Sequence, residues 1–321
     1  MKNSLQQGLV MRSTGSWYQV LTSNKNILNC RIKGQFRLDG IRTTNPVVVG
    51  DYVGFADMED GTGVIRSIEP RKNHISRKSV NLSHKAHIIA ANIDRAYLIV
   101  TIASPETTEE FIDRFLVAAD SSNIPVTIVF NKVDIYSPDT MVVLNSFLSI
   151  YRAIGYECMI LSALNAEDVN HFRSLLTDKV NLLSGHSGVG KSTLINAVEE
   201  GLMLKTREIS ELHQEGTHTT TFAEMIPLSQ GGFIIDTPGI KGFGVINIEK
   251  ENIAHCFPEM HRLRSSCKFN NCVHINEPKC AIKNAVEQGE ISSSRYRSYL
   301  SIYSAHQDDS YRRSPEEAKY F

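Results

Sequence analysis

The chain has 321 residues, of which 41% are hydrophobic and 21% charged, and its formal net charge is −1. This composition excludes a disordered or collagen-like chain, and the length predicts two or three domains. The apolar runs are too short to span a bilayer, and residues 1–10 lack the apolar core of a secretory signal. Six cysteines do not indicate a disulfide scaffold, so we expect a protein of the reducing cytosol.

The first ~70 residues have the pattern of short β-strands. They are rich in aromatic, β-branched or alternating apolar residues, and turn residues such as Gly34, Gly40 and Gly61 separate them. The predicted strands cover residues 17–22, 27–32, 35–38, 51–55 and 63–68. Five short strands predict a small β-barrel, for which the OB-fold is the common choice and another small barrel the alternative.

A segment without acidic residues follows the barrel, and it predicts a linker or a loop that faces a polyanion. Its basic and histidine residues are Arg71, Lys72, His74, Arg77, Lys78, His84, Lys85 and His87. Residues 1–90 hold 13 Lys and Arg against 6 Asp and Glu, whereas residues 91–246 hold 10 against 19. The overall neutrality therefore conceals a basic N-terminal region, which is what docking to RNA requires.

From residue 94 the pattern changes to an alternation of strands and helices. Strands are predicted at 96–102, 126–130, 157–161, 180–183 and 233–235, and helices at 108–120, 140–154 and 191–200. Repeated β-α units predict a parallel, doubly wound α/β sheet. We expect three domains: a barrel at 1–72, the α/β domain at 73–246 and a helix-rich region with a Cys/His cluster at 247–321.

A phosphate-binding loop stands between a predicted strand and a predicted helix. It reads Gly185-His186-Ser187-Gly188-Val189-Gly190-Lys191-Ser192 and matches the pattern G-x-x-x-x-G-K-[ST]. The glycines let backbone N–H groups converge on phosphate oxygens at the positive end of the helix. Lys191 is predicted to reach the β- and γ-phosphates, and the Ser192 hydroxyl to bind Mg²⁺.

A second motif distinguishes the bases: Asn131-Lys132-Val133-Asp134 follows a buried predicted strand. Asp134 can accept hydrogen bonds from the guanine ring N–H and exocyclic amine, a donor pair that adenine lacks. The stem of Lys132 can cover the base, and Asn131 can tie this loop to the phosphate-binding loop. Ser162-Ala163 ends the next predicted strand. The pair resembles the fifth GTPase motif, whose backbone N–H contacts the guanine oxygen, although simple packing is the alternative.

Two further motifs concern the γ-phosphate. Asp236-Thr237-Pro238-Gly239 matches D-x-x-G: Asp236 would hold Mg²⁺ through water, and the Gly239 N–H would sense the γ-phosphate. Between it and the phosphate-binding loop lies a threonine-rich stretch at 216–221, in which we favour Thr220 to complete the Mg²⁺ shell over a plain polar loop.

The residue that would orient the attacking water is not provided by the usual motif. In Ras-type enzymes a glutamine just after D-x-x-G has this role. Here the position is occupied by Ile240, so slow intrinsic hydrolysis is expected. His218 in the threonine-rich stretch is the best internal candidate, and a surface histidine in a loop is the alternative.

The order of these motifs is unusual. The base motif and the Ser-Ala pair precede the phosphate-binding loop, whereas Ras-like proteins place that loop first. The chain therefore looks like a circularly permuted GTPase, which is feasible because the ends of a domain often lie close together. The D-x-x-G motif then leads directly into the C-terminal region, so the nucleotide state could reposition that region.

The C-terminal region contains the pattern C-x₄-C-x-H-x₅-C, formed by Cys267, Cys272, His274 and Cys280. Three thiolates and an imidazole form a closed tetrahedral set, which is typical of structural zinc. Cys256 and His261 are lower-ranked alternative ligands, while Cys30 and Cys158 are expected to be ordinary buried thiols.

A final stretch of the chain interleaves arginine with tyrosine, a pattern that suits either RNA contact or a packed helix. It comprises Arg295, Tyr296, Arg297, Tyr299, Tyr303, Tyr311, Arg312 and Arg313.

Together these motifs resemble the bacterial ribosome small subunit-dependent GTPase A family over essentially the full chain. The resemblance implies an OB-fold N-terminus, a zinc-binding C-terminus and a monomeric cytoplasmic enzyme. It further implies GTP hydrolysis to GDP and phosphate, stimulated by the 30S subunit during late maturation of that subunit, with 16S rRNA as a partner.

The resemblance also assigns residues. GTP contacts are implied at 131–134 and at 185–193, which ends at Thr193, and zinc is implied at the Cys/His set. A catalytic role is implied for His218, while Thr217 stands where relatives often carry a basic residue. The competing readings are a P-loop ATPase or kinase, against which the base motif argues, and a GTP-dependent RNA-binding module with little catalysis.

Overall fold

A computed structural model describes residues 5–32, 46–78, 86–202, 204, 223–237 and 248–311. The strand predicted at 35–38 lies outside these residues. The first five strands are β1 (Gln6–Ser13), β2 (Tyr18–Thr22), β3 (Ile27–Ile32), β4 (Tyr52–Asp57) and β5 (Gly63–Ile68). β1 pairs with both β2 and β4, β2 pairs with β3, β3 runs parallel to β5, and β5 pairs with β4. The five strands therefore close into a barrel with OB-fold topology, as predicted.

The strand β1 was not predicted. Its polar start conceals a run of buried residues, Gly8 to Met11, which does not alternate between apolar and polar. The reason is that both faces of β1 are covered. Val10 packs inside the barrel, whereas Leu9 and Met11 belong to the core of the neighbouring α/β sheet.

The basic segment after the barrel contains a β-hairpin, so the prediction of a linker or loop is wrong for its described part. β6 (His74–Lys78) pairs antiparallel with β7 (Ala86–Ala91). Ile75 and Ile88 are buried between the basic residues and anchor the two strands. A single bridge between Val49 and Ala90 links the hairpin to the segment before β4.

Within the described residues, the central sheet holds six strands: β8 (Arg95–Val100), β9 (Val126–Phe130), β10 (Glu157–Ile160), β11 (Val180–Ser184), β12 (Glu224–Pro227) and β13 (Phe233–Asp236). Their order is β10-β9-β8-β11-β13-β12, in which the first five are parallel. The parallel sheet is thus confirmed, but the edge strand β12, which was not predicted, runs antiparallel to β13.

Helices cover both faces of this sheet. They are α1 (Glu109–Asp120), α2 (Pro138–Ala153), α3 (Ala166–Leu176) and α4 (Lys191–Val198). In β8, Leu98 and Val100 pack with α1 and α2, while the alternate residues Tyr97 and Ile99 pack with α3 and α4. The period of two along β8 therefore separates two cores, which makes the sheet doubly wound.

The C-terminal region is helical. It contains a 3-10 helix (Lys250–Cys256), α5 (Pro258–Leu263), α6 (Ala281–Glu287) and α7 (Ser293–Tyr311), which share a core around Phe257, Met260 and Ile282. Among the described helices, none combines the length and apolar composition that a membrane span requires.

The arginine-tyrosine stretch belongs largely to a packed helix in its described part. Arg295 and Tyr299 are each only 1% exposed on α7, whereas Arg297 is exposed. Arg295 forms ion pairs with Asp113 of α1 and Glu259 of α5. α7 therefore fixes the C-terminal region against the α/β domain rather than offering these two side chains to RNA.

Candidate functional site

The predicted motifs meet at one edge of the central sheet. The base motif follows β9, the phosphate-binding loop follows β11, and Asp236 ends β13. These strands are parallel and lie on either side of the sheet centre, so their carboxyl ends point the same way. Ligands of open α/β sheets bind at this edge.

The phosphate-binding loop requires its glycines. Gly185, Gly188 and Gly190 have φ values of 150°, 88° and 93°. A Cβ at Gly185 would lie 2.2 Å from the Ile99 carbonyl oxygen, and one at Gly190 would lie 2.4 Å from Asn131 Nδ2. α4 begins directly after Gly190 without a side-chain cap. Its first N–H groups are therefore available to an anion.

Lys191 lies over this loop. Its side chain is buried, and its Nζ donates to the carbonyl oxygens of Gly185 at 2.6 Å and His186 at 2.9 Å. Burial lowers the pKa of Lys191, while the nearby Asp236 opposes that shift. The ammonium group is thus held by the loop that it would serve.

The ring of His186 stacks on Phe111 of α1, with a centroid separation of 3.5 Å and an interplanar angle of 28°. Burial lowers the pKa of His186, and the neighbouring Lys191 lowers it further. Sequence reasoning missed Phe111, because nothing in the helical pattern of α1 separates a residue that faces the loop from one that packs in the core.

Asn131 joins three motifs. Its Nδ2 donates to the Val189 carbonyl oxygen at 2.8 Å, and its Oδ1 accepts from the Ala163 N–H at 3.1 Å. The side chain is fully buried. The base motif, the Ser-Ala pair and the phosphate-binding loop are therefore held at fixed positions relative to one another. Of the Ser-Ala pair, from which a backbone N–H was predicted to contact the guanine oxygen, the Ala163 N–H is here bound to Asn131.

The other members of the base motif surround a sharp backbone turn. Lys132 has a φ of 64°, and its Nζ donates to the Ser104 carbonyl oxygen at 2.7 Å. Burial lowers the pKa of Lys132, and Asp134 counters that shift. Asp134 is exposed, and Val133 is half-buried in the same 3-10 turn. Ser162 is buried, and its N–H donates to Asp168 at 2.8 Å.

The end of β13 carries an unsatisfied carboxylate oxygen. Asp236 Oδ1 is buried without a hydrogen-bond partner among the described residues. Burial raises the pKa of Asp236 to about 6, and Lys191 opposes this rise. An unpaired oxygen donor beside a phosphate-binding loop fits a hard cation such as Mg²⁺. Ser192, at the start of α4, is half-buried.

Several predicted residues lie outside the described part of the chain. They are the threonine-rich stretch with Thr217, His218 and Thr220, as well as Gly239 and Ile240.

Cys267, Cys272, His274 and Cys280 form a cluster in which all four donor atoms lie within 4.8 Å of one another. His274 Nδ1 lies 3.6 Å from Cys267 Sγ and 3.4 Å from Cys280 Sγ, and these two sulfurs are 3.9 Å apart. Around tetrahedral zinc, the edges would be roughly 3.6 Å from sulfur to nitrogen and roughly 3.8 Å between sulfurs. The cluster could therefore hold a metal ion in this geometry.

Neighbouring groups fix the loop that carries His274. The Glu277 carboxylate accepts backbone N–H bonds from Val273, Ile275 and Asn276 at 2.9 to 3.1 Å. On α7, the Tyr296 hydroxyl donates to the His274 carbonyl oxygen at 2.7 Å. A fixed second layer of this kind is what a stable metal site needs.

The structure does not bring the alternative ligands into this cluster. The Cys256 sulfur faces the Asn252 carbonyl oxygen, and the His261 ring contacts His255. Cys30 is buried in the barrel core, as expected, whereas Cys158 is only half-buried.

Comparison with known protein families shows to which family the chain belongs. The family model described as RsgA GTPase matches residues 68–246, and the model of the RsgA N-terminal domain matches residues 7–65. The chain belongs to the RsgA GTPase family. RsgA relatives named small ribosomal subunit biogenesis GTPase RsgA include one from Bacteroides fragilis, 53% identical over 306 residues, covering 95% of this chain and 99% of the relative. Another, from Christiangramia forsetii, is 52% identical over 307 residues, with coverages of 94% and 97%.

Two solved structures agree with this assignment. YjeQ from Thermotoga maritima superposes with a TM-score of 0.74 at 31% identity, covering 94% of this chain and 98% of that chain. YloQ, described as a circularly permuted GTPase, superposes with a TM-score of 0.70 at 28% identity, with coverages of 95% and 96%. The permuted order of motifs in this chain is therefore that of an RsgA fold.

Proposed function

We propose that this chain binds GTP at the carboxyl edge of its central sheet and hydrolyses it to GDP and phosphate during maturation of the small ribosomal subunit. The observation that carries the proposal is the position of Asn131, whose side chain joins the guanine motif to the phosphate-binding loop through Val189 and to the Ser-Ala pair through Ala163. A base and a phosphate chain are thus bound at a fixed separation. The names of the relatives supply the ribosomal role.

Each motif has a role in this proposal. Asp134 reads guanine, Lys132 covers the base, and residues 185–193 with the N-terminus of α4 bind the phosphates. Lys191, which the loop carbonyls of Gly185 and His186 hold over the phosphate-binding loop, neutralises charge on the β- and γ-oxygens. Ser192, Thr220 and, through water, Asp236 would hold Mg²⁺, which when bound offsets the charge that develops during phosphoryl transfer.

We assign orientation of the attacking water to His218. Ile240 has no polar group for this task, so intrinsic hydrolysis is slow until the 30S subunit stimulates it. We further assign zinc to the Cys267 cluster as a structural ion, and 16S rRNA as a contact of the basic barrel. The protein would work as a cytoplasmic monomer with domains at 1–72, 73–246 and 247–321.

The experiment measures phosphate release from GTP with and without 30S subunits, for wild type and His218→Ala. We expect strong stimulation of the wild type, whereas the variant should lose turnover and keep its affinity for GTP. A loss of GTP binding alone would contradict the catalytic role of His218. Absence of 30S-stimulated release from wild type would favour the alternative, a GTP-dependent RNA-binding module.

Nucleotide competition tests the remaining alternative. ATP should not displace labelled GDP, and Asp134→Asn should abolish the preference for guanine while the fold is retained. Equal displacement by ATP and GTP would support a P-loop ATPase or kinase instead.

A further inference from the structure

Tyr136 lies two residues beyond Asp134 and bonds to the segments that follow two neighbouring strands. Its hydroxyl donates to the Asn131 carbonyl oxygen at 2.7 Å and accepts from the Ile102 N–H at 2.8 Å. Asn131 follows β9, and Ile102 follows β8. One half-buried phenol therefore connects the base motif to the loop of the neighbouring strand.

The first of these bonds closes the base motif on itself. Between Asn131 and Tyr136 the backbone turns through Lys132 and a 3-10 helix (Val133–Ile135). The Tyr136 N–H also donates to the Val133 carbonyl oxygen at 3.2 Å, so both ends of the turn are fixed by Tyr136. Asp134 sits in the middle of this closed turn.

Asp134 depends on that turn for its position. The carboxylate is exposed and makes no hydrogen bond to any other residue in the described part of the chain. The backbone between Asn131 and Tyr136 therefore sets where the Asp134 Cα lies, and with it the region that the carboxylate can reach. A carboxylate that must meet two donors of one planar base needs such a fixed backbone, because a misplacement breaks both bonds together.

The second bond reaches the loop at 101–107, which extends over both halves of the site. The Lys132 ammonium donates to the Ser104 carbonyl oxygen at 2.7 Å. Pro105 lies 3.5 Å from the position that a Cβ on Gly188 would occupy. This loop thus touches the base motif and the phosphate-binding loop, and Tyr136 anchors it at Ile102.

The hydroxyl is suited to remain a donor. Burial raises the pKa of Tyr136, the Ile102 N–H opposes the rise, and the nearby Asp134 adds to it. The phenol therefore stays protonated near neutral pH, so that its bond to Asn131 does not depend on pH.

We infer that Tyr136 is a positioning residue for guanine recognition, holding Asp134 in the place where its carboxylate meets the base. The inference rests on the proposed base-reading role of Asp134. It assigns part of the specificity to a side chain outside the four-residue motif, one that acts through Asn131 and Ile102 without touching the nucleotide.

The test compares the dissociation constants of GDP and inosine diphosphate in wild type and Tyr136→Phe. Inosine lacks the exocyclic amine, so only one of the two bonds to Asp134 can form. The substitution removes the hydroxyl and keeps the ring. We expect GDP to bind about tenfold more weakly and the preference for GDP over inosine diphosphate to fall about fivefold, since both partners of the hydroxyl lose a bond.

Tyr97→Phe is the matched control, because it also removes a hydroxyl from a buried ring. Tyr97 lies on the opposite face of β8, where its hydroxyl donates to the Leu175 carbonyl oxygen at 3.4 Å. This variant should keep the wild-type preference. The ratio is measured at a temperature at which both variants are fully folded. A purely structural role of Tyr136 would weaken the binding of GDP and of inosine diphosphate equally and leave their ratio unchanged.

The outcomes separate the inference from the proposed function. A wild type that does not prefer GDP over inosine diphosphate or ADP contradicts the base-reading role itself. A wild type that discriminates, together with a Tyr136→Phe variant that keeps the same ratio, overturns the positioning role, even when both affinities fall.

Discussion

Replacing Arg295 by Met should destabilise the protein strongly, because this side chain is the cation of a buried ionic cluster. Arg295 is 1% exposed, and its guanidinium donates to Asp113, which is fully buried, and to Glu259 at 2.8 Å. The guanidinium also lies 4.6 Å from the centre of the Phe257 ring. The Tyr151 hydroxyl donates to the same Asp113 oxygen at 2.8 Å. Methionine would retain most of the volume and none of the charge.

The expected loss of stability follows from the two buried carboxylates that remain. Without Arg295, two carboxylates are left in a site from which water is excluded, and breaking a buried ion pair in this way costs roughly 3–5 kcal/mol. At about 2–4 °C per kcal/mol, the melting temperature should fall by roughly 10 °C. Arg297→Met is the matched control: that residue is exposed on the same helix, and its replacement should change stability by less than about 0.5 kcal/mol.

The pH dependence identifies the cause. Burial raises the pKa of Asp113, and Arg295 opposes that rise. In Arg295→Met the guanidinium that opposes this rise is gone, so Asp113 takes up a proton at a higher pH in the folded variant than in the unfolded chain. The stability deficit should therefore be complete at pH values above the raised pKa of Asp113 and shrink as the pH falls through that pKa. Adding Asp113→Asn to Arg295→Met should recover part of the lost stability. Equal melting temperatures of variant and wild type at neutral pH would refute the reasoning.

Two further substitutions test the nucleotide loop and the metal cluster. Gly190→Ala, whose Cβ would lie 2.4 Å from Asn131 Nδ2, should weaken GDP binding at least tenfold (an order-of-magnitude estimate from lost positioning) in a titration with labelled GDP. Gly155→Ala, also at positive φ but with nothing within 4 Å, should bind GDP normally, and equal effects would contradict the steric argument. Cys280→Ser should lower the zinc content of the purified protein from about one ion per chain to near zero, whereas Cys158→Ser should keep the wild-type content. An unchanged zinc content in Cys280→Ser would exclude Cys280 as a ligand.

Local sequence patterns predicted the interior of the fold better than its junctions. β2, β3 and β5 have alternating or β-branched residues and tight turns, so their pattern survives in isolation. β1 contacts two cores, and the alternation that identifies a half-buried strand is therefore absent from it. β12 has only four residues, too few to show an alternating pattern, although its main partner β13 follows it closely in the sequence. Tertiary contacts, which no short window contains, therefore determine β1, whereas β12 was missed because it is short.

The site was predictable where chemistry constrains consecutive residues. The phosphate-binding loop and the base motif need particular residue types at fixed spacing, so a stretch of four to eight residues is enough to identify each of them. Phe111 contributes through its contact with His186, and Tyr136 through its bonds to Asn131 and Ile102. An aromatic residue at either position is equally compatible with core packing, so only the three-dimensional arrangement distinguishes them.

The pairing of β1 with β12 has a consequence for the solubility of shortened proteins. β12 is the last strand of the central sheet, and its strand pairing with the barrel consists of one residue pair, Arg12 with Glu224. An uncovered strand edge is a template for association with other chains, and this edge is protected by the barrel, by its short length and by Pro227, which has no N–H to donate. Deleting the barrel would remove the first of these protections. Self-association of such a truncated protein would then imitate a loss of the proposed docking to the ribosome. Point substitutions on the outer barrel surface therefore separate the two effects better.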